Sequence, residues 1–503
     1  GMRKEICNVQ YITAMDPTCG SFSVCERAQR HFATFNCAMP GHEDLRTVYM
    51  SIFSGHLNGF QPKVTDMCTS IVDATLDLHE HVQHKFLPSA IKFMYKWNMR
   101  ELANVFQGLT LSKSSLYSEP IDMIRLWRHE CQRVFEDRLV STSEHAIYQG
   151  LLDEVVKKHF MDFKDKMVEE PLGFTKFCDS TTQEYKRVSS EEKLKQSMEF
   201  KLHEYNESGA AVMDLVLFGD AMEHVCRISR VITNPSGNAM LIGVGGSGKQ
   251  SLTKLASFIS GYEVDQIMIT GKYGMVEFKE DLKKSYTRAA VKGIPVVFLM
   301  TDTQIVKEEF LVCLNAMLAS GWISDLFARD EIDNLLGALR NEAKSVGVPD
   351  NPEAMFDFLI KRSKSLLKVC LAFSPVGDTF RKRAVKFPGL INCTIIDKFH
   401  PWPRDALEGV AKRFLDEVEM ENAEVIIPKL AAHMAEEHLS TEIASANYLK
   451  TQKRYNYVTP KSFLELIAFY KSLLEDKRKS VQRLIDRLDV GLSTMSKTAN
   501  DVA

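Results

Sequence analysis

Short apolar runs, separated by segments with helical periodicity, dominate the middle of the chain. Runs at 239–242, 264–269, 294–300 and 367–373 have the length of strands, and a further short run lies at 391–396. The run at 294–300 is apolar almost without interruption, which is typical of a parallel strand covered on both faces. Strands that alternate with helices predict an α/β domain with a mostly parallel sheet.

The N-terminal part of the chain carries different patterns. Residues 8–15 and 36–39 have the composition of short buried strands, and helical periodicity runs from residue 43 to about residue 139. The stretch at 164–203 is charged, with few large apolar residues after Phe177, which predicts a connector between two globular units.

The C-terminal part is again helical, from residue 404 to residue 470. Beyond it, Val481, Leu488, Met495 and Val502 recur every seven residues, which predicts one strand of a coiled coil. A strand-like segment within the first dozen residues and a coiled-coil strand without its partner both suggest a piece of a longer chain.

The segment 239–250 predicts a phosphate-binding loop. It combines a strand, a glycine-rich turn and a helix whose first turn carries Lys249, which is the GxxxxGK pattern of a P-loop. The glycines let backbone N–H groups converge on phosphate oxygens, and the lysine adds a positive charge. The chain is therefore expected to bind a nucleotide. The predicted phosphate-binding residues are Gly243, Gly245, Gly246, Ser247, Gly248, Lys249, Gln250 and Ser251.

Two positions depart from the pattern of hydrolysing P-loop proteins. Gln250 stands where a Ser or Thr normally holds Mg²⁺, and Ser251 is turned away by about 100° along the helix. The apolar run that ends in Asp302 has the Walker B form, whose carboxylate holds Mg²⁺ through water. Thr303 follows it, where hydrolysing AAA+ proteins carry a glutamate base. Because losing a general base typically costs ~10²–10⁴ in rate, we expect binding with poor hydrolysis.

Further residues are candidates for the nucleotide site, each with a plainer alternative. Ser374, at the end of the fourth strand, is either a γ-phosphate sensor or a turn residue. Lys461, which opens a C-terminal helix, either faces the phosphates or stays solvated. A short apolar segment either lines the adenine pocket or belongs to the core; it consists of Val216, Leu217 and Phe218.

Arginines and histidines supply two weaker hypotheses. Arg383, with Arg381, follows the sensor strand, and Arg30, with Arg27, holds the corresponding place near the N-terminus. Arginines there can reach a neighbouring unit's nucleotide as arginine fingers, and the alternative is a solvated basic turn. Histidines at 79, 81 and 84 allow a zinc site, but a solvated helix face is the expectation.

Length and composition narrow the class of protein. The 503 residues suggest about 3–4 domains, and the net charge of −3 favours neither nucleic-acid nor membrane binding. The 11 cysteines contain no CxxC pair and fit thiols in a reducing compartment. No apolar run approaches the ~18 residues of a membrane span.

These motifs resemble the fourth AAA+ module of a dynein heavy chain. The segments that carry the resemblance are 243–251, 298–305, 373–378 and 455–460. Thr303 makes the axonemal group more similar, because cytoplasmic dyneins carry glutamate there. Residues 1–150 resemble the end of the third module, through matches to its sensor and finger region at 20–22 and 29–35, its second sensor at 98–108 and its last helices at 126–135.

The resemblance implies an α/β P-loop AAA+ large domain with all-α small domains and a C-terminal coiled-coil helix. The implied divisions are the end of the third-module large domain (1–42), its helical small domain (43–150), a linker (151–205), the fourth-module large domain with the P-loop (206–400), its helical small domain (401–470) and the start of the stalk helix (471–503).

The resemblance also implies cofactors, partners and a location. The cofactor would be ATP or ADP, with Mg²⁺ held through water by Asp302. The partners would be adjacent AAA+ modules of the same heavy chain, other dynein chains and, through an absent stalk tip, microtubules, with no nucleic acid and no membrane. The location would be the cytoskeleton of the cytoplasm, in the axoneme of a cilium or flagellum. A small-molecule kinase and a scaffold with an empty P-loop remain as alternatives.

Overall fold

The computed structural model describes most of the chain, namely residues 7–15, 25–89, 92–167, 173–177, 184–209, 212–213 and 215–502. Within these ranges, no helix combines the length and the apolar character that crossing a membrane requires. The match predicted at residues 20–22 lies outside the described residues.

The N-terminal segments do not form the predicted strands. Residues 8–15 and 36–39 are exposed and carry no strand assignment, and the side chain of Ile12 is 95% exposed. A strand needs a hydrogen-bonded neighbour, and no described strand lies beside these segments. The apolar composition alone was therefore misleading. The first described helix is the single turn α1 (Glu26–Gln29).

Residues 42–167 form a helical unit, and the helical periodicity predicted from residue 43 is confirmed. Its core surrounds Trp127, which is fully buried and donates from Nε1 to Thr75 Oγ1 at 2.8 Å. The helices are α2 (His42–His56), α3 (Pro62–Thr65), α4 (Cys68–Lys85), α5 (Met99–Leu109), α6 (Pro120–Cys131), continued by a π-helical turn (Gln132–Glu136), then α7 (Thr142–His159) and α8 (Lys164–Met167).

The segment predicted as a charged connector contains packed structure. Two short strands, β1 (Phe174–Thr175) and β2 (Lys186–Arg187), pair antiparallel, and α9 (Glu191–Glu207) follows. Leu194 and Met198 of α9 are buried in a core that they share with the α/β unit. This segment is therefore folded against its neighbour.

A five-stranded parallel sheet forms the centre of the α/β unit. Its strands are β3 (Ala239–Ile242), β4 (Glu263–Gln266), β5 (Val296–Thr301), β6 (Leu367–Phe373) and β7 (Ile395–Lys398). Among the described residues the order is β4-β5-β6-β3-β7, so the P-loop strand β3 lies between β6 and β7. Every residue of β3, β5 and β6 is buried, as the largely apolar runs predict, and the α/β class is confirmed.

Helices cover both faces of the sheet. Because successive side chains point to opposite faces, Met240 belongs to one core and Leu241 to another. The helices of this unit are α10 (Gly219–Thr233), α11 (Lys249–Ile259), α12 (Met275–Ala290), α13 (Glu309–Ser320), α14 (Arg329–Ser345), α15 (Pro352–Leu366), α16 (Thr379–Lys386) and α17 (Gly389–Asn392).

Three predicted strands have other bounds in the structure, and one of them is the run at 294–300, which forms β5 from Val296 to Thr301. The run at 391–396 was predicted as one strand, but its first residues end the short helix α17 and only the last two enter β7. The run at 264–269 begins one residue early and ends at Gln266. Short apolar runs cannot distinguish a buried helical turn from a strand, which explains the error at 391–396.

The C-terminal helices form a lid. They are α18 (Arg404–Leu415), α19 (Ala423–Gln452) and α20 (Pro460–Val502), and we call them the helical lid. Phe463 and Ile467 of α20 are buried against α18 and α19. The helix predicted to open near Lys461 and the predicted coiled-coil strand are one continuous helix.

Candidate nucleotide-binding site

A cavity of about 620 Å³ opens at the carboxyl edge of the sheet. Residues 245–252, from the phosphate loop and α11, form one wall. Residues 301–303 and Ser374, at the ends of β5 and β6, form the floor, and apolar side chains of the helical lid close the opposite side. In parallel α/β sheets this edge is the usual place for ligands.

The phosphate loop has the backbone geometry of an anion cradle. Gly246 and Gly248 have φ values of +79° and +87°, in the left-handed region that favours glycine. Lys249 Nζ donates to the carbonyl oxygens of Gly243 and Val244, both at 2.7 Å. Burial lowers the pKa of this lysine to about 8. A phosphate group beside it would favour the charged form further, so these residues fit a nucleotide.

Asp302 is held at the end of β5 by backbone donors. Its Oδ2 accepts from the amide of Ser374 at 3.1 Å, and its Oδ1 accepts from the amide of Thr303 at 3.0 Å. The hydroxyl of Thr303 is hydrogen-bonded to that of Thr301 at 2.9 Å. These bonds fix two residues at the cavity floor. Asp302 is the carboxylate expected to hold Mg²⁺, and Thr303 stands in the place of a catalytic base.

Gln250 is engaged away from the metal position. Its Oε1 accepts from Gln266 Nε2 of β4 at 3.1 Å. Gln250 and Ser251 both line the cavity, although Ser251 was expected to point away. Among the described residues no group of three or more His, Cys, Asp and Glu side chains could hold a metal ion. On the protein side Mg²⁺ would therefore be held by Asp302, and phosphate oxygens and water would have to complete its coordination.

The other end of the cavity is apolar and suits a base. Val216 and Phe218 line it, and Phe218 packs edge-to-face on Trp402, with ring centroids 5.2 Å apart. Leu217 does not: it lies in the core, 4% exposed, because alternate residues of an extended segment face opposite sides. The adenine-pocket prediction therefore needs correction at Leu217. The lid contributes Val410, Phe414 and Leu464.

Sequence reasoning missed a polar cluster beside the base end. The His224 ring stacks on the Phe399 ring with centroids 3.8 Å apart, and His224 Nδ1 lies 2.8 Å from Asp397 Oδ2. Burial favours the neutral acid, but His224 and Arg227 hold the pKa of Asp397 below its usual value. His224 and Asp397 are 173 positions apart, so no local pattern signals their contact.

The same cluster reaches the helical unit of residues 42–167. Arg227 Nε lies 3.4 Å from Asp137 Oδ1, and Lys398 Nζ donates to the carbonyl of Val140 at 2.6 Å. His400, which lines the cavity, packs on the ring of His145 with centroids 5.4 Å apart. The wall of the cavity and the helical unit are therefore in direct contact.

Two further candidates, Lys461 and Arg30, lie at different distances from the cavity. Lys461, the second residue of α20, packs against the phosphate loop. The approach is so close that a Cβ added to Gly246 would lie 2.3 Å from the Cβ of Lys461. Its ammonium group is 3.6 Å from Glu465, and the side chain is 70% exposed. Arg30 is exposed beside His31 and does not line the cavity, so its finger role stays a prediction.

The histidines at 79, 81 and 84 were expected to form a solvated helix face, and this expectation is wrong for the first of them. His79 is buried, 4% exposed, and packs on Phe135, whereas His81 and His84 are exposed. His81 bonds to the carbonyl of Asp77 and His84 lies near Glu80. A zinc site is not formed by these described residues.

The phosphate loop, the strand-terminal Asp302, the parallel sheet and the helical lid define a P-loop nucleotide-binding module of the AAA+ class. A family model described as "P-loop containing dynein motor region D4" matches residues 213–473, and one described as "AAA+ lid domain" matches residues 71–170. The chain belongs to the dynein motor region D4 family. The fold and family predicted from the motifs are thereby confirmed.

Curated relatives agree with this assignment. The chain is 48% identical to the dynein beta chain of the flagellar outer arm of Chlamydomonas reinhardtii. It is 46% identical to the ciliary dynein beta chain of Heliocidaris crassispina and 43% identical to dynein axonemal heavy chain 17 of Homo sapiens. Each alignment covers 99% of this chain but 11% of the relative, so the chain spans about a tenth of their length.

Proposed function

We propose that this chain binds an adenine nucleotide at a structural or regulatory site and hydrolyses it slowly or not at all. The observation that carries the proposal is the pairing of a complete phosphate cradle with Thr303 in the place of the catalytic base. Lys249 and Asp302 border one cavity, whereas the Thr303 hydroxyl is bonded to Thr301. A threonine hydroxyl near neutral pH cannot accept a proton as a carboxylate does.

Slow turnover has a second cause at Gln250. Gln250 has no hydroxyl to offer Mg²⁺, unlike the Ser or Thr usual at this position. Its carboxamide is instead bonded to Gln266. A metal bound through Asp302 alone on the protein side would be less well positioned. Losing a general base alone lowers the rate by ~10²–10⁴, and weaker metal positioning adds to this.

A bound nucleotide would tie the units of the fold together. The cavity walls come from the phosphate loop, the strand ends and the helical lid, so a ligand contacts all three. A ligand at 100 times its dissociation constant stabilises the bound form by about 2.7 kcal/mol. Occupancy would therefore hold the lid against the sheet without any hydrolysis.

The relatives support a proposal for the role of the complete protein. Their names describe flagellar outer-arm, ciliary and axonemal dyneins. We infer that this chain is part of a microtubule-based motor in the axoneme of a cilium or flagellum. Its partners would be the adjacent AAA+ modules of the same heavy chain, other dynein chains and, through regions outside this sequence, microtubules.

The test is to denature the purified protein, identify the released nucleotide by chromatography, and measure steady-state ATP hydrolysis on the intact protein. Bound ADP or ATP with negligible turnover supports the proposal. Brisk turnover would mean that another carboxylate replaces the missing base. A nucleotide-free sample that binds neither ADP nor ATP would instead support a scaffold with an empty loop.

Lys249→Ala is expected to abolish nucleotide binding, because the lysine supplies the charge that faces the phosphates. The matched control is Lys292→Ala, an exposed lysine that precedes β5 and therefore lies at the opposite edge of the sheet. Isothermal titration with ADP compares the two. Unchanged affinity in Lys249→Ala would place the site elsewhere.

A further inference from the structure

A second cavity adjoins the phosphate end of the nucleotide cavity. Its volume is about 260 Å³, and it shares Asp302, Thr303 and Ser374 with the larger cavity. Its far wall is formed by α16, through Thr379 and Arg383. Because Asp302 is the residue expected to hold the metal beside the outer phosphates, the second cavity lies where the terminal phosphate of a triphosphate would emerge.

Arg383 is the cation of this second cavity. Its side chain is 13% exposed, and its Nε donates to Glu308 Oε1 at 3.0 Å. That bond uses only Nε, so the two terminal nitrogens of the guanidinium are not engaged by it. The carboxylate of Glu308 is 47% exposed, and such a pair is worth little in water. A doubly charged phosphate would compete well with it.

The position of Arg383 follows from the helix. Thr379 and Arg383 are four residues apart, so they lie on the same face of α16, one turn apart. Arg381 and Lys382 are exposed and do not line the second cavity. The earlier prediction had Arg383 reaching the nucleotide of a neighbouring module, whereas its side chain lines a cavity that continues into the site of its own module.

We propose that Arg383 binds the terminal phosphate of a nucleoside triphosphate in this chain's own site, and so makes the site distinguish a triphosphate from a diphosphate. This inference rests on the proposed nucleotide-binding function. A guanidinium can donate two parallel hydrogen bonds to phosphate oxygens, and charge-assisted bonds in a partly closed cavity are the strong ones. A diphosphate does not extend to Arg383 and leaves it paired with Glu308.

The experiment is isothermal titration of the nucleotide-free protein with Mg-ADP and Mg-ATP. Arg383→Ala is expected to weaken ATP binding about 10- to 100-fold, which corresponds to one or two charge-assisted hydrogen bonds, and to change ADP binding less than about twofold. Arg383→Lys keeps the charge but not the fork and should give an intermediate loss. Lys382→Ala, on the same helix and exposed, should change neither affinity.

A second variant keeps the test decisive if Arg383→Ala folds poorly. Glu308→Ala removes the competing carboxylate, so it is expected to tighten ATP binding severalfold and to leave ADP binding unchanged. Equal effects on both nucleotides, or an unchanged ratio of affinities in both variants, would overturn the inference. If the unaltered protein binds neither nucleotide, the proposed function itself fails, and the two failures are thereby distinguished.

Discussion

Replacing Gly246 by alanine is expected to separate the helical lid from the phosphate loop. The Cβ that alanine adds would lie 2.3 Å from the Cβ of Lys461 and 3.0 Å from its backbone nitrogen. These atoms belong to the first turn of α20, so rotation of a flexible side chain cannot relieve the overlap. Gly246 also has a φ of +79°, which strains any other L-residue.

The magnitude follows from two separate costs. A left-handed alanine costs about 1–2 kcal/mol, and overpacking against a fixed backbone costs about 1–3 kcal/mol more. Gly261→Ala isolates the first cost, because Gly261 has a φ of +75° and no heavy atom within 4 Å of an added Cβ. We expect Gly246→Ala to lower the free energy of unfolding by about 2–5 kcal/mol and Gly261→Ala by about 1–2 kcal/mol.

The assay combines urea unfolding, followed by circular dichroism, with ADP titration. A chain of several units can unfold in several steps, so the transition that ADP shifts is the one to compare. Gly246→Ala should also weaken ADP binding at least tenfold, because the lid walls of the cavity move away, whereas Gly261→Ala should leave the affinity unchanged. Equal effects of the two substitutions on both stability and affinity would refute the contact between loop and lid.

Two further predictions concern the floor and the wall of the cavity. Thr303→Glu is expected to raise ATP hydrolysis little above the Thr303→Gln control, because Gln250 still stands where a Ser or Thr would supply a hydroxyl to Mg²⁺; brisk phosphate release by the glutamate variant would contradict this. His400→Asn is expected to gain stability relative to the unaltered protein as the pH falls from about 6.5 to about 4. Burial and the charge of Lys398 lower the pKa of His400 from 6.5 to about 4, so in this window the unfolded chain binds a proton that the folded chain does not. Urea midpoints that keep a constant difference across this range would speak against it.

The phosphate end of the site is predictable because its residues are contiguous. A strand, a glycine turn and a helix opened by Lys249 are encoded within a dozen positions, and β3 and the start of α11 lie where the pattern predicts. The strand β6 likewise has its predicted bounds, because its residues are apolar except Lys368, which fits a central parallel strand.

The rest of the site depends on contacts between distant positions. The stack of His224 on Phe399 and the bond from Gln266 to Gln250 join different elements, which periodicity cannot align. Leu217 was misassigned because a three-residue apolar segment does not reveal which side faces the cavity. Apolar composition predicted a strand at 8–15, but strands also require a neighbour, and composition carries no information about one.

The start of α20 against Gly246 has a mechanical consequence. The helix runs 43 residues without interruption, so at about 1.5 Å per residue it is a rod of roughly 64 Å. Lys471 bonds to Glu417 near its root, and the apolar side chains from Val481 to Met495 are exposed. A tilt of about 5° at the root displaces the far end by roughly 5–6 Å. Because α20 begins against the phosphate loop, a small change of tilt at this contact becomes a displacement of several ångströms at the far end of the helix.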